Sequence, residues 1–352
     1  MNRTKLCTTN SEGQQWQGYQ VLNMTEPLYV DNSILTKVAV CDTASVIRYV
    51  LGMTTWEERA TFLVGTAGHE AMAQFFKGYG KDAAMDKFDE LYRDWATANV
   101  PPEYARSYEN AYKCISVWFD NHPLDRLPFR VIPEWVEIGF SYPLVPDGSI
   151  VYVGRIDAIV QELNSDALRI LDHKFTARLD GAFARNFRMD SQFSGYIWSG
   201  QQQLAAPVDG GFVNAIELTR LPSDPTRKCP KHAVVYAECG ELHANSDIIL
   251  VNRTPQAIKQ WKRDAIVLAK RFGELREQYS DPAYLPIVPM QGQFVYKACS
   301  NCESYDFCAA HKPVAQINSM FQHLPWEPWK SALDGKESES DGEGYDNDTI
   351  QT

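Results

Sequence analysis

Two β-rich segments separated by a short polar break constrain the fold of this chain most strongly. Residues 150–160 and 168–175 are rich in β-branched and aromatic side chains, and the sequence QELNSDA at 161–167 interrupts them. A two-residue turn at Asn164-Ser165 pairs residues whose numbers sum to 329. The sequence therefore predicts an antiparallel hairpin with a defined register.

That register places Asp157 directly opposite Asp172, with Cβ atoms about 5 Å apart. Lys174 lies two residues beyond Asp172 and points to the same face, whereas His173 points to the other. Two carboxylates in mostly apolar strands repel each other and resist burial. A divalent cation removes that cost, and oxygen ligands, including the backbone carbonyl of His173, suit Mg²⁺ or Mn²⁺. The alternative interpretation is a surface hairpin with an Asp–Lys ion pair.

A metal at this position indicates hydrolysis of a phosphodiester bond. A bound divalent metal lowers the pKa of a water molecule and polarises the scissile phosphate. Lys174 would orient or deprotonate that water and offset the developing negative charge. In this interpretation Lys174, Asp157 and Asp172 are the catalytic residues.

Other polar residues extend the candidate site. His69, on a helix predicted to start near Thr66, is a candidate further metal ligand. Gln192 and Tyr196 lie four residues apart on a predicted helix, so they share one face, where an amide and a hydroxyl can hold a phosphate or order the lysine. Glu134 or Glu137, on the preceding strand, is a further candidate, and the sequence leaves that choice open.

Together these residues resemble the motifs of the PD-(D/E)XK nucleases, in particular the RecB-like exonuclease branch. The matching segments, in the order expected for that branch, are Gly65-Thr-Ala-Gly-His69, Gly154-Arg-Ile-Asp157, Asp172-His-Lys174 and Gln192-x-x-x-Tyr196, within residues 65 to 220. The resemblance implies that His69, Asp157 and Asp172 bind the metal and that Lys174 is the catalytic lysine. It also implies that Gln192 and Tyr196 support DNA binding and the geometry of the site.

Three of the eight cysteines are tightly clustered, as Cys299-x2-Cys302-x5-Cys308. In a reducing compartment such a cluster indicates a metal site rather than disulfides. Cys41 is the favoured fourth ligand, and His311 is the competitor, since it would complete a zinc site of the Cys3His type.

One cysteine upstream and three downstream also resemble the arrangement in some RecB-like nucleases, including the AddB nuclease and CRISPR-associated exonucleases. In those proteins the four cysteines bind a [4Fe-4S] cluster. The resemblance implies such a cluster here, joining the N-terminal helix to the C-terminal segment, with Zn²⁺ as the alternative.

The rest of the chain predicts an α/β fold with a central mixed sheet flanked by helices. Residues 1–30 are predicted to be a loosely structured lead-in, residues 31–330 a nuclease domain with a helical insertion at about 80–122, and residues 331–352 a disordered acidic tail. Predicted helices cover 33–51, 82–99, 103–121, 189–205 and 256–279, and further predicted strands cover 130–142, 211–219 and 232–238.

Composition limits where a nucleic acid can bind. The chain has 352 residues and a formal charge of -11, so a DNA-binding surface must be a local patch, for which Arg178, Arg185 and Arg188 are candidates. No apolar run is long enough to span a bilayer and no secretory signal is evident, so we expect a cytoplasmic protein in a reducing environment, without a membrane partner.

The predicted function is that of a Mg²⁺- or Mn²⁺-dependent DNA exonuclease acting on single-stranded or free ends. Recombination, replication or repair proteins are the expected partners, and an oligomer is compatible with the sequence. The alternatives are a non-catalytic DNA-binding or assembly subunit with the nuclease fold, and a zinc-stabilised enzyme of unrelated chemistry.

Overall fold

A six-stranded mixed sheet forms the centre of the computed structural model. The structure describes residues 27–56, 60–218, 228, 233–234 and 245–330. The five strands in sheet order are β1 (Leu28–Val30), β4 (Ile150–Glu162), β5 (Leu168–Thr176), β6 (Val208–Glu217) and β7 (Ser246–Asn252), and β3 (Phe129–Pro143) also pairs with β4. β1 with β4 and β5 with β6 are parallel, and the other pairs are antiparallel.

The hairpin of β4 and β5 has the predicted register. Ala158 pairs with Leu171, and the next three pairs continue to Gln161 with Leu168, so each pair sums to 329. The ladder stops one pair short of Asp157 and Asp172, so these two are not paired directly as predicted. Instead, the Asp157 carboxylate accepts a hydrogen bond from the backbone N–H of His173.

Helices cover both faces of the sheet, as the sequence predicts. One buried apolar cluster joins the sheet to α1 (Asn32–Val40), α7 (Ser191–Leu204) and α8 (Pro255–Gln278). A second cluster, on the other face, joins it to α3 (Ala60–Gln74), α4 (Gly80–Asn99) and α5 (Tyr108–Asn121). A π-helical segment, Phe75–Tyr79, links α3 to α4, and a short helix α6 (Gly181–Asn186) follows β5. The α/β prediction is therefore confirmed.

The single helix predicted over 33–51 is wrong. α1 ends at Val40, Cys41 is extended (φ -159°, ψ 119°), and α2 (Asp42–Ser45) and a π-helical segment (Val46–Val50) follow. Long-range hydrogen bonds replace the helical ones at this break. The N–H of Asp42 bonds to Gln291 Oε1, and the N–H of Thr43 bonds to the carbonyl of Pro289. The break thus joins the N-terminal helices to the C-terminal segment.

The C-terminal segment contains short helices and one small strand. A two-stranded sheet pairs β2 (Met53–Thr55) with β8 (Phe321–His323), and the helices α9 (Tyr305–Ala309) and α10 (Ile317–Met320) precede β8. The remaining helical turns, all of the 3-10 type, are Leu124–Arg126, Pro282–Ile287, Gln291–Phe294, Cys299–Asn301 and Val314–Gln316.

Some predicted segments differ from the structure or lie outside the residues that it describes. Residues 28–30 form β1 rather than part of a loose lead-in, and β7 was not predicted. The strand predicted over 232–238 lies mostly outside the described residues, as do the tail at 331–352 and residues 1–26. In the part of the chain that the structure describes, no helix is long and apolar enough to cross a membrane.

Candidate metal centre and cysteine group

Among the described residues, three elements bring together a close group of side chains that could bind a metal ion. His69 on α3, Glu137 on β3 and Asp157 on β4 each offer one ligand atom, and these atoms all lie within 4.8 Å of one another. Glu137 lies in the pairing of β3 with β4 at the position opposite Asp157, between the Val136–Ala158 and Ile138–Ile156 pairs. One nitrogen and two carboxylates are a donor set suited to a divalent cation.

Glu137 joins the group because β3 is irregular. The register of β3 on β4 shifts between Val131 and Val136, and Glu137 has φ 58°, in the left-handed region. Glu134 lies on the irregular stretch and is exposed. The structure therefore selects Glu137 from the two glutamates that the sequence left open.

Asp157 is buried and held by several donors. Its Oδ2 lies 3.1 Å from His69 Nδ1 and 2.7 Å from the backbone N of His173. Burial by itself would raise the pKa of Asp157, but His69, His173 and Lys174 outweigh that effect and hold the pKa below its usual range. Asp157 is therefore ionised, and the pKa of His69 is raised because the nearby carboxylates outweigh its own burial.

Glu137 has the opposite electrostatic environment. Burial and the neighbouring Asp157 carboxylate raise the pKa of Glu137 to about 8, against partial compensation from His69 and Arg155. Arg155 Nη1 lies 3.8 Å from Glu137 Oε2. A bound cation would offset the repulsion between these two close carboxylates and allow both to be ionised.

A second chain of polar contacts runs from β5 to α7. Lys174 Nζ lies 2.8 Å from Asp172 Oδ1 and 3.1 Å from Gln192 Oε1, and Gln192 Nε2 donates to Tyr196 Oη at 2.8 Å. Asp172 is 2% exposed. Burial raises the pKa of Asp172 to about 6, although Lys174 opposes the shift, and Asp172 and Asp157 raise the pKa of Lys174 against its burial.

The His173 side chain faces away from this chain of contacts, as alternation predicts. Its ring stacks on Phe76 with centroids 5.2 Å apart, and its Nδ1 lies 2.9 Å from Asn214 Nδ2. Burial lowers the pKa of His173 to about 3, so the ring is neutral and accepts at Nδ1. Sequence reasoning missed Phe76 and Asn214, because neither lies near His173 in the chain.

A glycine lets α3 approach β5 closely enough to supply His69. A Cβ atom on Gly68 would lie 2.3 Å from the Phe175 ring, a separation that real Cβ atoms do not reach. The His69 ring in turn contacts Phe175, with centroids 5.7 Å apart. The G-x-x-G-H segment thus has a packing role next to its candidate ligand.

Four cysteines gather between the α1–α2 break and the C-terminal segment. A Cβ atom on Gly292 would lie 3.4 Å from Cys41 Sγ and 3.6 Å from Cys299 Sγ, so these thiols flank one α-carbon. Burial, then the neighbouring thiols Cys41 and Cys302, raise the pKa of Cys299. Burial raises the pKa of Cys308 to about 11, and Cys302, Cys41 and Cys299 add to the increase. All four are free thiols.

The structure places the predicted site residues in three groups: two that adjoin each other and a separate group of cysteines. His69 and Asp157 meet Glu137; Asp172, Lys174, Gln192 and Tyr196 form the neighbouring polar chain; and Cys41 meets the downstream cysteines. His311 is exposed. Of the candidate DNA patch, Arg178 pairs with Asp180, and Arg185 and Arg188 are exposed on and just after α6.

Among solved structures the chain has distant likenesses. No protein-family model and no curated protein matches the chain. A crystal structure of a protein from Eubacterium rectale, named "Putative exonuclease", matches with 12% sequence identity and a TM-score of 0.43 over 78% of this chain and 88% of that chain. A likeness at that distance assigns no function, which must be argued from the site.

Proposed function

We propose that this protein is a divalent-metal-dependent nuclease that hydrolyses phosphodiester bonds of DNA, with a site similar to that of the RecB-like PD-(D/E)XK nucleases. One observation carries the proposal. The three-ligand group of His69, Glu137 and Asp157 lies beside a half-buried lysine, Lys174, that Asp172 and Gln192 hold in place.

The donor set fits Mg²⁺ or Mn²⁺. Asp157 and Glu137 offer hard oxygen ligands, which these ions prefer, and His69 offers an imidazole nitrogen, which Mn²⁺ also accepts. Asp172 and the carbonyl of His173 are proposed as further ligands on the adjacent strand. Such a metal would polarise the scissile phosphate and make a bound water more acidic.

The chain's own residues then divide the remaining work. Lys174 is a fixed cation next to the metal group, so it stabilises negative charge that develops on the phosphate and positions the attacking water. Asp172 keeps the lysine charged, and Gln192 orients it, with Tyr196 fixing the amide of Gln192. Because the contacts preorganise Lys174, its position requires no rearrangement when substrate binds.

DNA with single-stranded or free ends is the proposed substrate, in replication, recombination or repair. The resemblance supports exonuclease action and these partners. Exposed Arg185 and Arg188 supply cations for the phosphate backbone close to the end of β5.

The four cysteines are proposed to bind a [4Fe-4S] cluster. Among the described residues, one group of three or more candidate ligand atoms lies within 4.8 Å of one another, and it consists of His69, Glu137 and Asp157 rather than of cysteines. No three of the four thiols therefore lie within 4.8 Å of one another, whereas tetrahedral zinc, with Zn–S bonds of about 2.3 Å, would hold all of them roughly 3.8 Å apart. A [4Fe-4S] cluster, which offers a separate iron to each of the four thiolates, suits this wider spacing, and it would join Cys41 to the C-terminal segment through iron–sulfur bonds.

Cleavage of labelled single-stranded DNA with Mn²⁺ tests the nuclease proposal. Lys174→Ala should reduce the rate by about 10²-fold or more, because it removes a preorganised charge from the reaction centre. Lys81→Ala, on α4 and paired with Asp120 away from the site, is the matched control and should keep the wild-type rate. Equal cleavage rates for wild type and Lys174→Ala would refute the catalytic assignment of Lys174, and no cleavage by wild-type protein would favour a non-catalytic DNA-binding subunit.

A further inference from the structure

A groove lined by aromatic side chains opens beside the candidate site. It has a volume of about 800 Å³, and three exposed or half-buried rings, Trp56, Trp95 and Tyr104, line it. A volume of this size falls within the range of about 300–1,000 Å³ typical of ligand-binding clefts. The chain as a whole has a formal charge of -11. The described residues that line the groove nevertheless include no carboxylate.

The groove shares one of its walls, α3, with the metal group, and it also lies next to the end of β5, which carries Lys174. Ala60 and Thr61, at the start of α3, line it, and α3 continues to His69. Ala177 also lines it, three residues beyond Lys174, which is roughly 10 Å along an extended strand. A strand of nucleic acid lying in the groove therefore needs to extend by only a few nucleotides to reach the reacting centre.

Tyr104 is presented on a fixed backbone. Its N–H bonds to the carbonyl of Pro101, and its own carbonyl accepts from the N–H of Ser107 and from Asn110 Nδ2. Tyr104 is 51% exposed although its backbone is tied down, and Trp56 is 61% exposed. Rigid, exposed rings lose little entropy when a flat ligand stacks on them.

One cation completes the lining. Arg106 makes no ion pair with any described residue, and its buried Nε has no hydrogen-bond partner there. An arginine that has no carboxylate partner among the described residues, beside exposed aromatic rings, is suited to bind the phosphates and bases of single strands. Duplex DNA does not expose base faces, so it cannot use these rings.

We propose that this groove binds the unpaired bases of a single-stranded nucleic acid and directs the strand to Lys174. Only the second part, the path of the strand to Lys174, rests on the proposed nuclease function. Trp56 and Tyr104 stack on bases, and Arg106 contacts the backbone. The loop between α4 and α5, which carries Tyr104 and Arg106, thereby supplies substrate selection.

Fluorescence anisotropy without added divalent metal tests the groove, using a labelled oligothymidylate and an abasic strand of equal length and charge. Wild-type protein should bind oligothymidylate roughly tenfold or more tightly than the abasic strand, because each stacked base contributes. The double variant Trp56→Ala/Tyr104→Ala should bind both strands equally. Phe294→Ala, which removes a ring that is 84% exposed far along the chain from the groove, is the matched control and should keep the wild-type preference.

Two results would overturn the groove assignment. One is an unchanged preference for oligothymidylate in the double variant. The other is an equal loss of affinity for a fully paired hairpin. Both changed side chains are exposed, so the melting temperature should remain that of wild type. Mn²⁺-dependent cleavage by wild-type protein is measured separately. A base preference without cleavage refutes the proposed function alone, and cleavage without a base preference refutes the groove alone.

Discussion

At Glu137 the backbone adopts φ 58°, a conformation that non-glycine residues rarely take and that costs about 1–3 kcal/mol. The surrounding ladder between β3 and β4 maintains it, with Val136 and Ile138 paired on either side. The result is a carboxylate within 4.8 Å of ligand atoms on His69 and Asp157. Backbone strain of this kind concentrates at functional sites, which agrees with a metal ligand here.

Replacing Glu137 should change how the stability of the metal-free protein depends on pH. The pKa of Glu137 is 4.5 in the unfolded reference and about 8 in the folded protein, so the folded state binds the extra proton. Stability from this group is therefore complete below pH 4.5 and is lost as the pH rises through about 8. Glu137→Gln should remove this loss, so the variant should melt above wild type at pH 9 but not at pH 5.

Glu134→Gln, an exposed change on the same strand, should melt like wild type throughout. Thermal unfolding of all three proteins at both pH values provides the measurement. If Glu137→Gln and wild type lose stability in parallel between pH 5 and pH 9, the raised pKa of Glu137 is wrong.

The sequence predicts which face of a strand each candidate site residue occupies, but it does not predict which residues of other elements contact it. Strict alternation along two strands is enough to place Asp172 and Lys174 on one face and the His173 ring on the other. It cannot choose Glu137 over Glu134, because the choice depends on a register shift and a left-handed residue in β3. Asn214 was missed for a related reason, since its contact with His173 depends on the parallel pairing of β5 with β6.

Among the secondary-structure elements, α3 and β5 illustrate how close packing positions a ligand. Gly68→Ala would push a methyl group into the Phe175 ring and displace α3 at His69, so we expect a loss of about 1–3 kcal/mol in stability and weaker Mn²⁺ binding. Thermal unfolding and calorimetric titration with Mn²⁺ measure the two effects.

Gly65→Ala is the control on the same helix. No atom lies within 4 Å of a Cβ atom at Gly65, so an alanine there should stabilise the helix by up to about 1 kcal/mol and leave Mn²⁺ binding unchanged. Equal behaviour of the two variants would show that the contact of Gly68 with Phe175 does not position His69.

Some element boundaries are set by long-range contacts rather than by the local sequence pattern. The apolar pattern of residues 33–51 predicts one helix, yet the N–H groups of Asp42 and Thr43 bond to residues nearly 250 positions away. The strand β7 was missed because its formation depends on its pairing with β6, which the local sequence does not reveal. The hairpin succeeded because both its strands and its turn are local.

For the whole molecule, the cysteine group links the two ends of the described chain. Cys41 follows α1, and Cys299, Cys302 and Cys308 precede β8, so a bound cluster closes a very long loop. Closing a long loop stabilises the folded state by restricting the unfolded chain. The molecule's stability is therefore predicted to depend on metal bound by these cysteines, which lie far from Lys174 in sequence.

Cys41→Ser should abolish absorbance at roughly 400 nm, where thiolate-bound iron clusters absorb, and lower the melting temperature. Cys114→Ala, a buried cysteine in the apolar cluster of α3–α5, should lose some stability through packing but keep the absorbance. Anaerobic purification followed by absorption spectroscopy makes the comparison. A colourless, zinc-loaded wild-type protein would contradict the iron–sulfur proposal and leave the nuclease proposal untouched.

The most direct test of the account is the dependence of DNA cleavage on Mn²⁺ concentration in wild type and Asp157→Asn. Asp157, the proposed metal ligand, contacts both His69 and the β5 backbone, so a neutral amide in its place should weaken metal binding and reduce cleavage by about 10²-fold at any given Mn²⁺ concentration. Asp86→Asn, an exposed change on α4, is the control and should follow the wild-type curve. Saturable, Mn²⁺-dependent cleavage that Asp157→Asn lacks is the predicted result, and identical curves for wild type and Asp157→Asn would contradict it.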